Sequence, residues 1–294
     1  MEELDITLII PAFNEEAGLA DTLAQLIPFA EKHGWKIFVV NDGSTDKTGA
    51  ILSGIKGITV LTHSVNRGYG ASLKTGIKNA RTPFIVLYDA DGQHDPHDVE
   101  KMIAIWNGQD MIIGARGKDS HQDWIRKPGK WILKKVAEFL TEQKNIPDLN
   151  SGLRLIKREL ILPLLPLFPN GFSFSTTSLI AFMNYGYLVE YHPICVRKRK
   201  GKSSVKQIRH GFSTLLLILR LIVLFNPLKV FLPISFLMGA LGFMYEILYG
   251  IVWFPNGVRL IPAAFFLMMT SIIVFFFGLV VDQLSEIRKN LYIK

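Results

Sequence analysis

The sequence has one cysteine, Cys195, which excludes an intrachain disulfide and leaves the residue to be expected as a small buried hydrophobe. No cysteine lies near His94 or His97, so zinc is not expected there despite their closeness. Charge is missing from two stretches: between Val230 and Trp253 the one charged residue is Glu246, and between Leu260 and Val281 there is none. Each is about long enough to cross a bilayer, and together they read as two membrane spans. The start, acidic from Met1 to Asp5 with an apolar stretch that ends at Pro11, lacks the pattern of a cleavable signal, so the N-terminus is expected in the cytosol. Internal repeats and low-complexity linkers are absent.

The charge that is present is distributed with a purpose. The 33 Lys and Arg against 25 Asp and Glu leave a formal +8 in a chain of 294 residues. Arg197, Lys198, Arg199, Lys200, Lys202, Lys206 and Arg209 precede the spans, and Arg288, Lys289 and Lys294 follow them. The connecting loop around Asn256 holds Arg259 alone. The excess of cations on one side predicts a cell-membrane protein with two crossings, the bulk of the chain and both termini cytoplasmic. Membrane topology accounts for the basic excess, so nucleic acid is not expected as a partner.

Four apolar runs, "ITLII", "KIFVV", "FIVLY" and "MIIGA", with a weaker fifth, "ITVLT" at Ile58, alternate with helix-like segments over the first 116 residues. Continuous apolar runs suit strands covered on both faces, and the alternation predicts a doubly wound α/β domain with a mostly parallel sheet. Such sheets bind ligands beyond the carboxyl ends of their strands. Polar clusters fall there: Asn14 and Glu15 after the first strand, Asp42 after the second, Asp89 and Asp91 after the fourth, Arg116 after the fifth. Further on, "WIRKPGKWILKKVAEFL" places Trp131, Ile132, Val136, Phe139 and Leu140 at helical spacing, either as a core-facing helix or as one lying on the membrane surface. Ser213 to Phe225 is too short to span comfortably and carries Arg220, so an interfacial helix is expected.

"LYDADGQHDPHDV", Leu87 to Val99, packs four aspartates into a dozen positions. Asp95, Pro96 and Asp98 read as a helix start: a capping acid, a proline at the first turn, and an acid three residues after the cap. Capping does not explain Asp89 and Asp91. Two carboxylates one residue apart at a buried strand end repel each other, and a divalent cation removes the conflict. Oxygen-only ligands favour Mg2+ or Mn2+.

"IIPAFNEE", "VVNDGSTDKT", "NRGYGASLKTG", "YDADGQHDP" and "NSGLRLIKREL", in this order, resemble glycosyltransferase family 2 with its GT-A fold, and the Asp-Ala-Asp-x-Gln-His run resembles its dolichyl- and polyprenyl-phosphate sugar transferases. "GFSFSTTSLI", "KRKGKSS" and the two spans resemble the bacterial membrane-bound branch. The resemblance implies a nucleotide-diphosphate sugar as donor, a polyprenyl phosphate as acceptor, a metal, and in-line transfer that inverts the anomeric centre. It implies nucleotide-sugar contacts at Pro11, Ala12, Asn14, Glu15, Asp42, Asp89, Ala90, Asp91, Gln93 and Arg199. It places the metal on Asp91, Gln93 and Asp89, and the acceptor phosphate at Arg116, Arg126, Lys130 and Ser203. Asp148, just before "NSG", is the position to test for a base.

Some of these residues suit a purely structural role equally well. Asn14 could cap the helix that follows, Asp42 could shape the Gly43 turn, and the cationic loop could face anionic lipid. Glu246 could serve a function, snorkel or pair with another chain, and Ser235 with Gly239 could pack helices within or between protomers, so a homo-oligomer is possible. The expected divisions are a GT-A domain over 1–205, an interfacial helix over 206–228 and a membrane domain over 229–294, with spans near 230–253 and 260–281. A Gln-x-x-Arg-Trp motif, which marks processive polysaccharide synthases, is missing. Transfer to a lipid hydroxyl, which needs a true general base, and a non-catalytic nucleotide-sensing scaffold are the rival readings.

Overall fold

The computed structural model describes residues 4–117, 127–197, 210–253 and 261–292. The chain divides into two compact units, 1–213 and 214–294. Among the described residues of the first unit, seven strands form one sheet: β1 (Ile6–Ala12), β2 (Lys36–Asn41), β3 (Thr59–Thr62), β4 (Phe84–Leu87), β5 (Met111–Arg116), β6 (Arg154–Lys157) and β7 (Val189–Ile194). Their order is β3-β2-β1-β4-β6-β5-β7. The five expected strands are all present. β6 and β7 are additional, and β6 runs antiparallel to both β4 and β5, which makes the sheet mixed. β6 is short and follows a polar loop, and β7 carries "VEYHPI" with an internal proline, so neither offers the continuous apolar run that marks a two-sided core strand.

The helices of this unit are α1 (Leu19–Lys32), α2 (Thr48–Ser53), α3 (Tyr69–Asn79), α4 (Pro96–Ala104), α5 (Lys127–Thr141), α6 (Arg158–Leu164) and α7 (Phe174–Asn184). β1 shows why its sequence is continuously apolar. Leu8 and Ile10 pack into a cluster with Leu19, Leu23 and Leu26 of α1 and Val99 and Met102 of α4. Ile9, on the opposite face, meets α3 at Gly76, where a Cβ would collide with the isoleucine. Successive residues of a strand face opposite ways, so both sets need burial. The start of α4 follows the expectation: Asp95 accepts from the His97 backbone N–H at 3.0 Å and Pro96 sits in the first turn.

Two expectations are corrected, one of them in part. Of the five apolar positions expected at helical spacing on α5, Leu140 is buried, beside Leu133 and Ala137, whereas Trp131, Ile132 and Phe139 are exposed, against the core-facing alternative for those three. A spacing of four and three residues identified the helix, but two apolar rows run along it and the row with the smaller side chains is the one that packs. Cys195 is exposed, because it lies just past the end of β7 rather than within the sheet.

The second unit contains the end of α8 (His210–Phe225), then α9 (Leu228–Trp253) and α10 (Pro262–Tyr292). α9 and α10 are long and apolar enough to cross a membrane. α10 continues past Val281, where the apolar run ends, through Asp282 and Glu286 to Tyr292. Small residues let the two helices approach: Gly239 lies against Ser271, and the Ser271 hydroxyl donates to the Ser235 carbonyl at 2.7 Å. Thus the Ser235/Gly239 pair packs this hairpin. Glu246 accepts from the Ile261 backbone N–H with its two oxygens at 3.1 and 3.3 Å.

Candidate active site

The mixed pairing brings distant segments to one rim of the sheet. β1, β2, β4 and β5 point their carboxyl ends there, and antiparallel β6 begins there. Leu87 of β4 pairs with Arg154 of β6, so two steps further along both chains Asp89 comes opposite Gly152. A Cβ at Gly152 would fall inside contact distance of the Asp89 carboxylate. The missing side chain is what allows the acid to lie against this turn.

Asp89 is held from two further directions. The Tyr69 hydroxyl donates to Oδ1 at 2.9 Å, and His94 Nε2 lies 3.4 Å from Oδ2. Burial raises the pKa of this acid, but the hydrogen bond and charge of His94, the Tyr69 hydroxyl and the Arg116 charge outweigh burial and leave it below the usual carboxylate value. Burial and the Asp89 charge push the Tyr69 phenol well above its ordinary value, so it stays protonated and donates. The carbonyl of Ala90, buried between the two acids, accepts from the Thr22 hydroxyl at 3.1 Å.

Asp91 is 7% exposed, and its Oδ1 accepts from the Gln93 backbone N–H at 3.2 Å. Gln93 Nε2 donates to the Arg197 carbonyl at 3.3 Å, and Arg197 N donates to the Gln93 carbonyl at 2.9 Å. The chain leaving β7 is thereby tied to the acidic loop, and Arg197 also pairs with Asp95. Asp91, Asp89 and the Gln93 amide offer only oxygen donors, the chemistry a hard divalent cation requires. Among the described residues no three His, Cys, Asp or Glu side chains gather into a self-sufficient metal site. This set fits a cation that completes its shell with substrate phosphate oxygens, as Mg2+ commonly does.

Arg116, at the end of β5, forms a two-pronged ion pair with Asp148: Nε to Oδ2 at 2.6 Å and Nη2 to Oδ1 at 2.8 Å. Asp148 Oδ1 also accepts from the Asn150 N–H at 3.0 Å. Burial raises the Asp148 pKa, but the Arg116 hydrogen bond and charge, with the backbone donors, outweigh it and lower it. The Arg116 hydrogen bond to Asp148 raises the guanidinium pKa against burial. Asp148 is thus bound to Arg116 through both of its carboxylate oxygens, and a carboxylate bound in this way is a poor proton acceptor.

The other end of the rim is built by interlocking loops. Asn14, at φ 54°, does not cap α1, which begins at Leu19. It accepts from the Thr45 N–H at 2.8 Å, and the Glu15 N–H donates to the Thr48 hydroxyl at 2.9 Å, joining the turns after β1 and β2. The carbonyl of Ala12, which follows half-buried Pro11, accepts from the Asp42 N–H at 2.8 Å. The buried Asp42 carboxylate faces His63 Nδ1 at 2.6 Å and accepts from the backbone N–H of Arg67 at 2.9 Å and Gly68 at 2.8 Å. It therefore clasps the start of α3. Arg126, Arg199, Ser203 and the side chain of Lys130 lie outside the described residues.

Four contributors have no role that the sequence alone assigns: Tyr69, His63, Gly152 and Arg154. Each lies in or beside a motif that carries the family resemblance, and nothing in a linear pattern says which group it meets. Arg154 is fully buried and binds the Ser151 and Leu149 carbonyls and the Ser178 hydroxyl, at 2.9, 3.1 and 3.1 Å, fixing the turn that holds Gly152. Burial lowers its pKa to about 10.

The model of glycosyl transferase family 2 matches residues 7–164, and that of the GtrB C-terminal hairpin matches residues 226–287. The chain belongs to glycosyl transferase family 2. It is 29% identical over 224 residues to a dolichol-phosphate mannosyltransferase of Pyrococcus furiosus, a match covering 70% of this chain and 62% of that one. It is 26% identical over 170 residues to a dodecaprenyl-phosphate galacturonate synthase of Rhizobium johnstonii, covering 55% and 50%. The chain thus spans less than two thirds of these relatives. Among solved structures, the glucosyl-3-phosphoglycerate synthase of Mycobacterium tuberculosis, in complex with Mn2+, UDP and phosphoglyceric acid, superposes with a TM-score of 0.60 at 18% identity, over 74% of this chain and 78% of that one. The first unit has the GT-A fold that the motifs implied.

Proposed function

We propose that the protein is a membrane-bound glycosyltransferase that moves a sugar from a nucleotide-diphosphate sugar to a polyprenyl phosphate, with inversion at the anomeric carbon. The observation that carries the choice of acceptor is the Arg116–Asp148 pair. The acid best placed by motif to serve as a base is committed to an arginine, so an acceptor that arrives already ionised suits this site. A phosphate monoester is such an acceptor, since its second pKa is about 6. The named activities of the two polyprenyl-phosphate relatives agree with this choice.

In this reading Asp89 contacts the sugar-nucleotide, and Asp91 and Gln93, with Asp89, would hold Mg2+ or Mn2+. The bound cation would offset charge that builds on the departing diphosphate. Arg116 supplies a fixed positive group for the acceptor phosphate, and such an electrostatic element is worth roughly 3 to 4 kcal/mol of barrier. Pro11, Ala12, Asn14, Glu15 and Asp42 line the nucleotide end. α9 and α10 anchor the enzyme in the cell membrane, with the catalytic unit and both termini on the cytoplasmic side. The acceptor's tail then remains in lipid while its phosphate is used.

The test is to incubate the detergent-solubilised protein with labelled nucleotide sugars and polyprenyl phosphate and measure label entering the organic phase. Transfer that needs Mg2+ or Mn2+ and is abolished in a folded Asp91→Asn variant is expected. Wild-type turnover by that variant, or no transfer from any donor of the panel, overturns the reading.

A further inference from the structure

Asp89 is a short side chain whose carboxylate must point one way to meet a bound donor, and within the acidic motif the contact it has is the long one from His94, 3.4 Å to Oδ2. Tyr69 fixes its direction from outside the motif. It is the first residue of α3, and its hydroxyl reaches Asp89 Oδ1 at 2.9 Å. The ring lies stacked on Phe172, with centroids 5.3 Å apart and planes 20° from parallel. The backbone that presents it is fixed on both sides. Arg67 and Gly68 give their N–H groups to Asp42, and the Ala71 N–H donates to the Asn170 carbonyl at 3.1 Å. Gly68, at φ 101°, and Gly70 lie so close to the backbone at residues 169–171 that a side chain at either would force the loop away. The phenol therefore has one direction available, and Gly152 closes the opposite side of Asp89.

We infer that Tyr69 is a positioning residue for sugar transfer: its hydroxyl, steadied by the Phe172 ring, locks the Asp89 carboxylate in the orientation that meets the donor. This role rests on the proposed function, in which Asp89 touches the sugar-nucleotide. It also links the two ends of the rim. Asp42, at the nucleotide end, holds the two backbone groups immediately before Tyr69, and Tyr69 holds the acid at the sugar end. A shift of the α3 start would be felt at both.

The experiment compares the full-length wild type with Tyr69→Phe, which keeps the ring and removes the hydroxyl, and with Phe172→Leu, which removes the stacking partner at an exposed position. Three quantities are read: kcat and KM for the nucleotide sugar under saturating polyprenyl phosphate, the Kd for the free nucleoside diphosphate with Mn2+, and Tm. The expected result for Tyr69→Phe is a fall in kcat of about tenfold or more, with KM and Kd changed less than about twofold, because the hydroxyl acts on orientation rather than on docking. Phe172→Leu is expected to lower kcat in the same direction by a smaller factor. Wild-type kcat in Tyr69→Phe, or a parallel loss of Kd and kcat, overturns the inference. If Tyr69→Phe does not fold, an unchanged kcat in Phe172→Leu overturns it instead. Absence of transfer by the wild type itself would defeat the proposed function, and this role with it.

Discussion

Arg116 and Asp148, 32 residues apart in sequence, face each other through two parallel hydrogen bonds of 2.6 and 2.8 Å. In the proposed function the acid positions the guanidinium rather than accepting a proton. Arg116→Ala is expected to lower turnover by about 10²- to 10³-fold, the size of losing one fixed electrostatic contact. Asp148→Asn should cost less, about tenfold, by letting Arg116 swing. The double variant should be no worse than Arg116→Ala, since both changes act through one group. Steady-state kinetics on the four proteins checks this. A loss from Asp148→Asn that far exceeds the loss from Arg116→Ala would favour a base and hence a hydroxyl acceptor.

The same pair sets an acid limit on stability. The Asp148 pKa is lowered in the folded protein relative to about 3.9 for an unfolded aspartate, so its contribution is complete above that value and is lost as pH falls through the folded pKa. The Tm difference between wild type and Asp148→Asn should be constant from about pH 7 to 5 and shrink below about pH 4. A difference that grows in acid would contradict the lowered pKa.

Gly152→Ala tests the close approach at the acid pair. The new methyl group would meet the Asp89 carboxylate, which is more easily displaced than the turn that Arg154 holds by three hydrogen bonds. The expected outcome is a folded protein whose kcat falls about tenfold or more, because Asp89 is turned from its place. Far-UV circular dichroism and the transfer assay together separate this from simple misfolding.

His63→Leu removes a partner of a buried acid. Asp42 would keep the backbone donors of Arg67 and Gly68 but lose the imidazole at 2.6 Å, and the Thr75 hydroxyl, 2.9 Å from His63 Nε2, would lose its partner too. A buried acceptor deprived of a hydrogen bond costs about 1–3 kcal/mol. Chemical denaturation should show a loss of that size, and nucleotide binding should weaken as the α3 start loosens.

The rim is legible in the sequence where its chemistry is local. "YDADGQH" declares its acids, and a strand before it places them at the sheet edge. Asp95 and Pro96 spell a helix start within two residues. The insertion of β6 between β4 and β5 is not legible, because four residues of mixed character that begin with a buried arginine carry no periodic signal. That strand is the reason Gly152 meets Asp89, so the contact is hidden with it. Asp148 stands out beside "NSG", but its partner lies on another strand, and pairing across a sheet is not written in spacing. On α5, one amphipathic pattern offers two apolar rows, and the packing of Leu133, Ala137 and Leu140 settles which row is inside.

Glu246 gives the last prediction. Within α9 it is an acid in an otherwise uncharged stretch, and its carboxylate accepts the Ile261 N–H at the start of α10. The first backbone donors of a helix have no partner within it, and apolar surroundings offer none from water. Glu246 therefore ties the two helices where the hairpin turns, while Ser271 and Ser235 tie them further along. Glu246→Gln keeps an acceptor oxygen at the same reach and should preserve the Tm of the protein in detergent. Glu246→Leu removes the acceptor and should lower stability by about 0.6 to 2 kcal/mol, the range for single hydrogen bonds between membrane helices. A functional acid that must carry a proton or a charge would instead make Glu246→Gln as damaging to transfer as Glu246→Leu, so the pair of variants separates a structural tie from a role in the reaction.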